Sequence, residues 1–534
     1  MTRRYDAVAI GSGINSLAAA ALLAKAGWSV CVLERNDWLG GAIRTAEITE
    51  PGFVHEVFAS WHPLFTGSAA YAELRGDLEA RGLEYLNTDL PTATLFPDGE
   101  STFLTTSHEE NVASLGPGWE RTVGEFMPNA ELAFGVLSTE LWSRDGGRLA
   151  WKGLRHLGRR GLVEFTGNVL VSCRDWATEA FEDERAHGLF APWVLHTGLG
   201  PEAAASGFMA QVIGVAIELG GMPVPRGGGI KLVEALAGIV RDAGGACETG
   251  RDVERILVSA GRATGVRTAD GEEITAARAV LANVTPPQLY GELLGSGARG
   301  ADEARRFRFG RGGMQIHFAL SKPPDWQGDE RLGRTAIIHL TPGLDGVSRA
   351  VNEAERGLLP AEATVVVGQP MAVDSSRAPD GSWILWVQLQ ELPSQPKGDA
   401  AGELDTADGT WTDELRERYA DRIQARIARH APNLESAILR RVAFSPADIA
   451  AANENMPGGD IYSGSCALDQ NLLWRPRPGL PGHRTYVEGL WHIGASTHPG
   501  PGLGAGSGTL VAKELLRRTF AERLRAAKRI RSST

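Results

Sequence analysis

The sequence predicts an α/β fold, and three observations predict it. An apolar strand at Tyr5–Ile10 runs straight into Gly11-Ser12-Gly13-Ile14-Asn15-Ser16 and a helix. A second strand, Ser29–Leu33, follows that helix and ends at Glu34. Strand-like alternation then returns far along the chain, at Glu254–Ser259, Ala263–Thr268 and Ala279–Asn283, with a last strand at Gly489–Gly494. Strand, glycine-bearing turn, helix and strand in that order open a parallel sheet. The chain has 534 residues, room for three or four units of about 150 residues each. Hydrophobic residues make up 43% and charged residues 22%, which excludes a disordered or fibrous chain.

The first element is a nucleotide-binding turn. Gly11 permits the sharp bend, and Gly13 lets the backbone approach a pyrophosphate. Ile14, Asn15 and Ser16 open the helix, whose free N–H groups and positive dipole end suit phosphate. Leu17, Ala18, Ala21, Leu22 and Ala24 give that helix its packing face, and Gly27 ends it. Ser16 stands where a third glycine is usual. Glu34, with Arg35 beside it, lies 23 residues after Gly11, the spacing of an acid that holds ribose hydroxyls. A carboxylate here repels a 2′-phosphate, so NADP is excluded at this turn, while FAD and NAD both stay open on these residues. Gly40, Gly41 and Ala42 let the chain run against a ligand, and Arg44 suits a phosphate; the alternative is an ordinary surface turn.

Three blocks in order resemble a known family. Gly11-x-Gly13 with Glu34, then Gly40-Gly41-x-x-Arg44-Thr45, is the first. The second is Pro225-Arg226-Gly227-Gly228-Gly229-Ile230, the helix Lys231–Ala243, and Val253-Glu254-Arg255-Ile256. The third is Gly489-Leu490-Trp491-His492-Ile493-Gly494-Ala495-Ser496-Thr497-His498-Pro499-Gly500-Pro501-Gly502-Leu503-Gly504. Together they resemble the phytoene desaturase and carotenoid ketolase branch of the flavoproteins, within the wider group that contains amine oxidases. Ser16 for Gly, and Pro501 where relatives have Gly, depart from the pattern; Pro501 lacks an N–H.

The resemblance implies FAD as cofactor and a discontinuous Rossmann-like FAD-binding domain of residues 1–90, 221–290 and 481–520. It implies an α+β substrate domain with a helical lid formed by two insertions, 91–220 and 291–480. It adds Ser60, Trp61, Val253, Gly494, Ala495, Pro501, Gly502 and Leu503 to the cofactor-binding set. His62 and His498 come near the flavin ring in this arrangement and are the candidate acid or base residues; the plainer reading of each is a histidine that only packs or hydrogen-bonds. Gly504 is expected to resist a β-branched replacement.

The insertions read less sharply. Residues from about 90 to 220 look mostly helical. Residues from about 290 to 480 mix strands at Met314–Leu320 and Ile384–Leu389 with a helix at Thr412–His430. Pro393–Thr410 reads as an exposed loop. The polar run Asn453–Tyr462 is either a gate over the substrate channel or a plain connection. Arg148, Lys152, Arg155 and Arg159 recur at helical spacing with Leu149, Trp151, Leu154 and Leu157 between them. That stripe has two readings, an interfacial helix in peripheral contact with a membrane and a solvated helix face. A final helix opens at Gly504–Gly508 and runs through Leu516, leaving 521–534 as a basic tail.

Several functions are excluded or disfavoured. A formal net charge of −11 argues against a dedicated nucleic-acid binder. The four cysteines contain no C-x-x-C, so neither a redox dithiol nor a zinc knuckle is indicated, and no metal site is expected. Free cysteines fit a reducing, cytoplasmic setting. No apolar run is long enough to span a bilayer. Arg3 and Arg4 mimic a signal sequence, but the residues after them are better explained as the first strand and turn. No Gly-x-Ser-x-Gly and no His-Glu-x-x-His occurs. Gly310-Arg311-Gly312-Gly313 precedes a strand and so lacks the context of a second dinucleotide turn.

The expected function is an FAD-dependent oxidoreductase, a dehydrogenase, desaturase or oxidase. It takes hydride from an apolar, carotenoid-like organic substrate onto flavin N5 and passes electrons to oxygen or a quinone. The alternatives are an amine-oxidase-type enzyme on a smaller polar substrate, and a non-catalytic binding protein of the same fold, as in the GDP-dissociation inhibitors of Rab GTPases.

Overall fold

The computed structural model describes residues 3–406 and 408–532, with side chains up to residue 519. Two large sheets organise the chain. The first has at its centre the strands β1 (Arg3–Ile10) and β2 (Val30–Leu33), joined by helix α1 (Ile14–Lys25). β1 pairs in parallel with β2 on one side and with Glu273–Asn283 on the other. Leu490–Ile493 extends the parallel set beside Val280–Asn283, and Ala246–Glu248 extends it beside β2. An antiparallel hairpin, Val253–Ser259 and Arg262–Thr268, adds to the first half of Glu273–Asn283.

The parallel strands are buried on both faces, which is why β2 reads Val-Cys-Val-Leu without alternation. α1, Ile230–Asp242 and the last helix Gly506–Ser532 cover one face. α1 is almost wholly buried, and its alanines let its neighbours approach closely. The closest approach is at Gly508, where a Cβ would lie 1.9 Å from the carbonyl oxygen of Asn15. The Gly508 N–H donates to Asn15 Oδ1 at 3.1 Å, so two chain ends nearly five hundred residues apart are locked side by side. At Gly504 a Cβ would stand 3.3 Å from the Leu64 carbonyl oxygen, tighter than an ordinary contact, so a β-branched residue there requires the Leu64 backbone to give way. Gly508 is the stricter of the two positions.

The second sheet has the order Ile438–Phe444, Gly312–Leu320, Trp383–Leu392, Val365–Gly368, Ile337–Leu340, Thr92–Leu95, Ser101–Leu104. Every neighbouring pair is antiparallel except Ile337–Leu340 with Thr92–Leu95. One face buries Met314, Ile316, Phe318, Leu385 and Val387 against helix Asp413–Ala428. The other face turns its alternate residues, among them Gln315, His317, Trp386, Gln388 and His339, toward the first sheet and a helical layer. That layer contains Glu184–Leu195 and Ser206–Gly220, and Trp119 and Phe190 stack in it at 5.2 Å.

The first insertion is mostly helical, as expected, but it opens with two strands, Thr92–Leu95 and Ser101–Leu104. Their Thr and Ser residues hid the apolar alternation of a sheet whose second face is polar. One expectation is corrected. The last helix does not stop near Leu516 but continues to Ser532, because the following residues contain neither Gly nor Pro. The side chains of the expected basic tail, 521–534, lie outside the described residues.

The basic stripe falls on helix Arg144–Leu170, which is broken at Gly158, where φ is 69°. Arg148 and Lys152 are ion-paired with Asp145 and Glu131. Among the described residues no helix is long and apolar enough to cross a membrane.

Candidate flavin site

A cavity of ≈ 550 Å³ opens at the C-terminal ends of β1, β2 and Glu273–Asn283, the place where open α/β sheets bind ligands. The turn after β1 forms one wall. Gly11 sits at φ 81° and Gly41 at φ 61°; a Cβ on Gly41 would lie 3.1 Å from the Cα of Gly13. Two glycine segments thus cross with no side chain between them. No side chain caps the start of α1, and its first residues, Ile14 and Asn15, line the cavity.

Glu34 is 6% exposed and organises this wall. Its Oε2 accepts from the Ser12 N–H at 2.9 Å and from Ser12 Oγ at 2.6 Å, and its Oε1 accepts from the Asn36 N–H at 3.0 Å. Ser12 Oγ in turn accepts from the Gly40 N–H at 3.0 Å. The acid therefore ties the first turn to the glycine pair. Ser16 earns its place differently: its Oγ accepts from Asn283 Nδ2 at 3.1 Å, a bond that a third glycine would forfeit.

The structure brings most of the sequence-derived set to this one cavity: Gly11, Gly13, Ile14, Asn15, Glu34, Arg35, Gly40, Gly41, Ala42, Val253, Ala495, Pro501, Gly502 and Leu503 all line it. Arg35 is also ion-paired with Glu454. Five residues stand elsewhere. Ser16 is behind the wall, as described. Arg44 lies over the Trp38 ring at 3.9 Å. Trp61 packs against Gly368 and the helical layer. Ser60 is buried with its Oγ unpartnered. Gly494 supports the loop from behind: its N–H donates to Ser507 Oγ at 3.0 Å.

Neither candidate acid or base histidine lines the cavity. His62 is fully buried, its Nδ1 3.0 Å from the Tyr85 hydroxyl. Burial, with the charge of Arg377, pushes its pKa down to about 3. His498 is buried beside His483, whose Nδ1 is hydrogen-bonded to Glu140, and burial pushes His498 down to about 4. Both are neutral packed imidazoles at pH 7.

The far wall comes from the second sheet and the helical layer, through Gln315, Gln388, His196, Ile461, Tyr462 and Ser463. Gln315 Nε2 donates to the Phe58 carbonyl at 3.3 Å, and Trp386 Nε1 donates to the same oxygen at 2.9 Å. These bonds hold the 57–59 segment between the two sheets. Gln315 Oε1 is buried without a protein partner. None of the far-wall residues is charged; the carboxylates on the cavity wall are Glu34, Asp252, Glu254, Glu292 and Glu454. Sequence reading missed Gln315, Gln388 and His196. The available signal was an amide in the middle of two otherwise apolar strands.

A buried charge cluster braces the site. Arg377 is 0% exposed; its Nη1 donates to Glu56 at 2.9 Å, its Nε to Asp374 at 2.7 Å and its Nη2 to the Pro225 carbonyl at 2.9 Å. Glu56 also accepts from the Gly229 N–H at 2.7 Å, and Asp374 accepts from the Gly227 N–H at 2.7 Å. The cluster fixes the Pro225–Ile230 loop against the Thr45–Glu56 ribbon, and so positions the second sequence block.

A bare glycine crossing, an uncapped helix start, a buried ribose-type acid and a closing glycine loop make up the site of a dinucleotide flavoprotein. Residues 17–347 match the family described as flavin containing amine oxidoreductase, and the chain belongs to that family. It is 27% identical over 565 residues to pyridine nucleotide-disulfide oxidoreductase domain-containing protein 2 of Mus musculus, covering 96% of this chain and 93% of that protein. It is 26% identical over 510 residues to the zeta-carotene-forming phytoene desaturase of Myxococcus xanthus, covering 93% and 90%. The structure of putrescine oxidase bound to putrescine superposes with a TM-score of 0.58 at 16% identity, over 98% of this chain and 100% of that one. The protein is an FAD-dependent oxidoreductase of the amine-oxidase-like class, similar to the phytoene desaturase branch.

Replacing Glu34 by Ala is expected to yield largely flavin-free protein. Charge-assisted hydrogen bonds are worth about 1.5–3 kcal/mol, or roughly 10–150-fold in affinity. Flavin absorbance per mole of purified protein measures this; full occupancy in the variant contradicts the role given to Glu34.

Proposed function

We propose that the enzyme oxidises an uncharged, largely apolar organic substrate by hydride removal in the cavity between the two sheets. The uncharged far wall carries this reading. A substrate cation would meet no carboxylate there, and burying an unpaired charge is costly. Phe58, Leu64 and Ile461 favour an apolar body, while Gln315, Gln388 and His196 accommodate a hydrogen-bonding group. Similarity to a phytoene desaturase supports carbon–carbon dehydrogenation over amine oxidation, although the wall is more polar than a bare polyene requires.

Gly11, Gly13, Gly41 and the start of α1 would hold the pyrophosphate of FAD, Glu34 the ribose, and Ala495 and Pro501–Leu503 the flavin end. Bound FAD supplies a hydride acceptor at N5. The second sheet excludes water by holding Phe58 and Ala59 in place, and the amides orient the substrate. Oxygen or a quinone is the proposed final acceptor. Contact of the Arg144–Leu170 helix with a membrane, as a route for an apolar substrate, is the finer part of the proposal; Trp151, 61% exposed, is the residue that favours it.

The test is anaerobic reduction of the purified flavoprotein by a panel of neutral alicyclic and terpenoid compounds beside a diamine. Bleaching by neutral compounds is expected. Bleaching by the diamine alone contradicts the proposal.

A further inference from the structure

We infer that His196 donates a hydrogen bond from Nδ1 to an oxygen atom of the substrate, and that His339 is a positioning residue that makes this nitrogen the donor. The inference rests on the proposed use of the cavity as the substrate site, and narrows the substrate to neutral compounds carrying a carbonyl, ether or hydroxyl oxygen.

His196 follows the last turn of helix Glu184–Leu195 and lines the cavity. Its Nε2 lies 3.0 Å from Nε2 of His339, which is 0% exposed on strand Ile337–Leu340. Trp193 clamps both rings, at 4.5 Å from His196 and 4.9 Å from His339. Burial holds both imidazoles below their usual range, His196 down to about 3, so both are neutral at pH 7.

Two facing Nε2 atoms at hydrogen-bond distance share one proton between them. If His196 supplied it, His339 would carry its own proton on Nδ1. That atom is buried and has no partner. Orphaned buried N–H groups are rarer than under-satisfied acceptors. The favoured arrangement is therefore His339 donating from Nε2, with its Nδ1 bare. His196 then accepts at Nε2 and carries its proton on Nδ1. No hydrogen bond joins that nitrogen to any described residue, and the ring borders the cavity, so its acceptor is water while the cavity is open and an atom of the ligand once the ligand displaces that water. A hydrocarbon offers none.

The experiment uses the flavin-loaded enzyme and two probes of matched shape, cyclohexanone and methylenecyclohexane, titrated against the visible flavin spectrum. One neutral hydrogen bond predicts a preference of roughly fivefold for the ketone in the wild type. His196→Leu is expected to erase the preference. His196→Asn, whose amide N–H falls near Nδ1, is expected to restore most of it, and His339→Leu to weaken it. Flavin content and reduction by dithionite report folding of each variant separately. Equal binding of both probes by the wild type, or an undiminished preference in His196→Leu, overturns the role of His196 and leaves the cavity as substrate site standing. If neither probe perturbs the spectrum of any variant, the substrate site itself is wrong and the inference falls with it.

Discussion

Acidification from pH 7 to pH 5 is expected to destabilise the protein and lower its Tm. Burial pushes His55 down to about 2, His62 and His196 to about 3, and His317, His492 and His498 to about 4. Each is neutral in the folded chain and titrates near 6.5 once unfolded. The folded state therefore holds fewer protons than the unfolded state below that value. The stabilisation is complete above about pH 6.5 and is lost as pH falls toward the folded values, at about 1.4 kcal/mol per group and pH unit. Six such groups at pH 5 amount to a loss on the order of 10 kcal/mol, offset in part by the buried Glu56, Glu391 and Asp460 carboxyls, whose pKa values burial raises and which acidification therefore relieves. Thermal unfolding followed by circular dichroism from pH 7 to pH 5 measures it. A Tm that falls by more than about 10 °C is expected; a flat Tm contradicts the neutral burial of these rings.

Arg377→Met is the substitution with the largest expected effect. It leaves Glu56 and Asp374 facing each other across a dry interior with no cation between them. Burial already pushes the Glu56 carboxyl above its ordinary range even with the arginine present. Breaking a buried ion cluster by removing one partner costs about 3–5 kcal/mol. Loss of the cluster also frees the Gly227–Ile230 loop that packs beside the first helix layer, so flavin retention should fall with stability. Adding Glu56→Gln to the same chain is expected to recover part of the loss, because the remaining group is uncharged. Chemical denaturation of the three proteins compares them. An Arg377→Met chain as stable as the wild type contradicts the bracing role.

The first sheet was legible because its signals are local. Gly11, Gly13, α1 and Glu34 lie within one short stretch, and each residue type has a backbone reason to be there. Gly504 was legible as a tight position in its glycine-rich loop, but the stricter contact, at Gly508 with Asn15, is one that only the folded chain reveals. His62 and His498 were nominated by nearness to the glycine blocks, and the fold turns both into packing. The far wall was illegible for a related reason. His196, His339, Gln315 and Gln388 come from four separated segments, joined by a strand order that skips back and forth along the chain. Their shared feature, a polar side chain on the cavity-facing side of a buried strand or at the end of a buried helix, becomes visible only once the register is known. Thr92–Leu95 was missed because its buried threonines broke the apolar run that marks a strand.

The claim that organic substrates reduce this enzyme directly, without nicotinamide, has a single decisive measurement. Among the described residues the four cysteines are free, and Gly312 and Gly313 belong to strand Gly312–Leu320 rather than to a second dinucleotide turn. Among the described residues, then, no disulfide forms and the Gly310–Gly313 segment makes no second dinucleotide turn. The measurement is the visible spectrum of the purified protein mixed anaerobically with NADH, then NADPH, then dithionite. The account predicts flavin absorbance that persists through both nicotinamides and disappears with dithionite. A colourless protein, or bleaching within seconds by either nicotinamide, would contradict it.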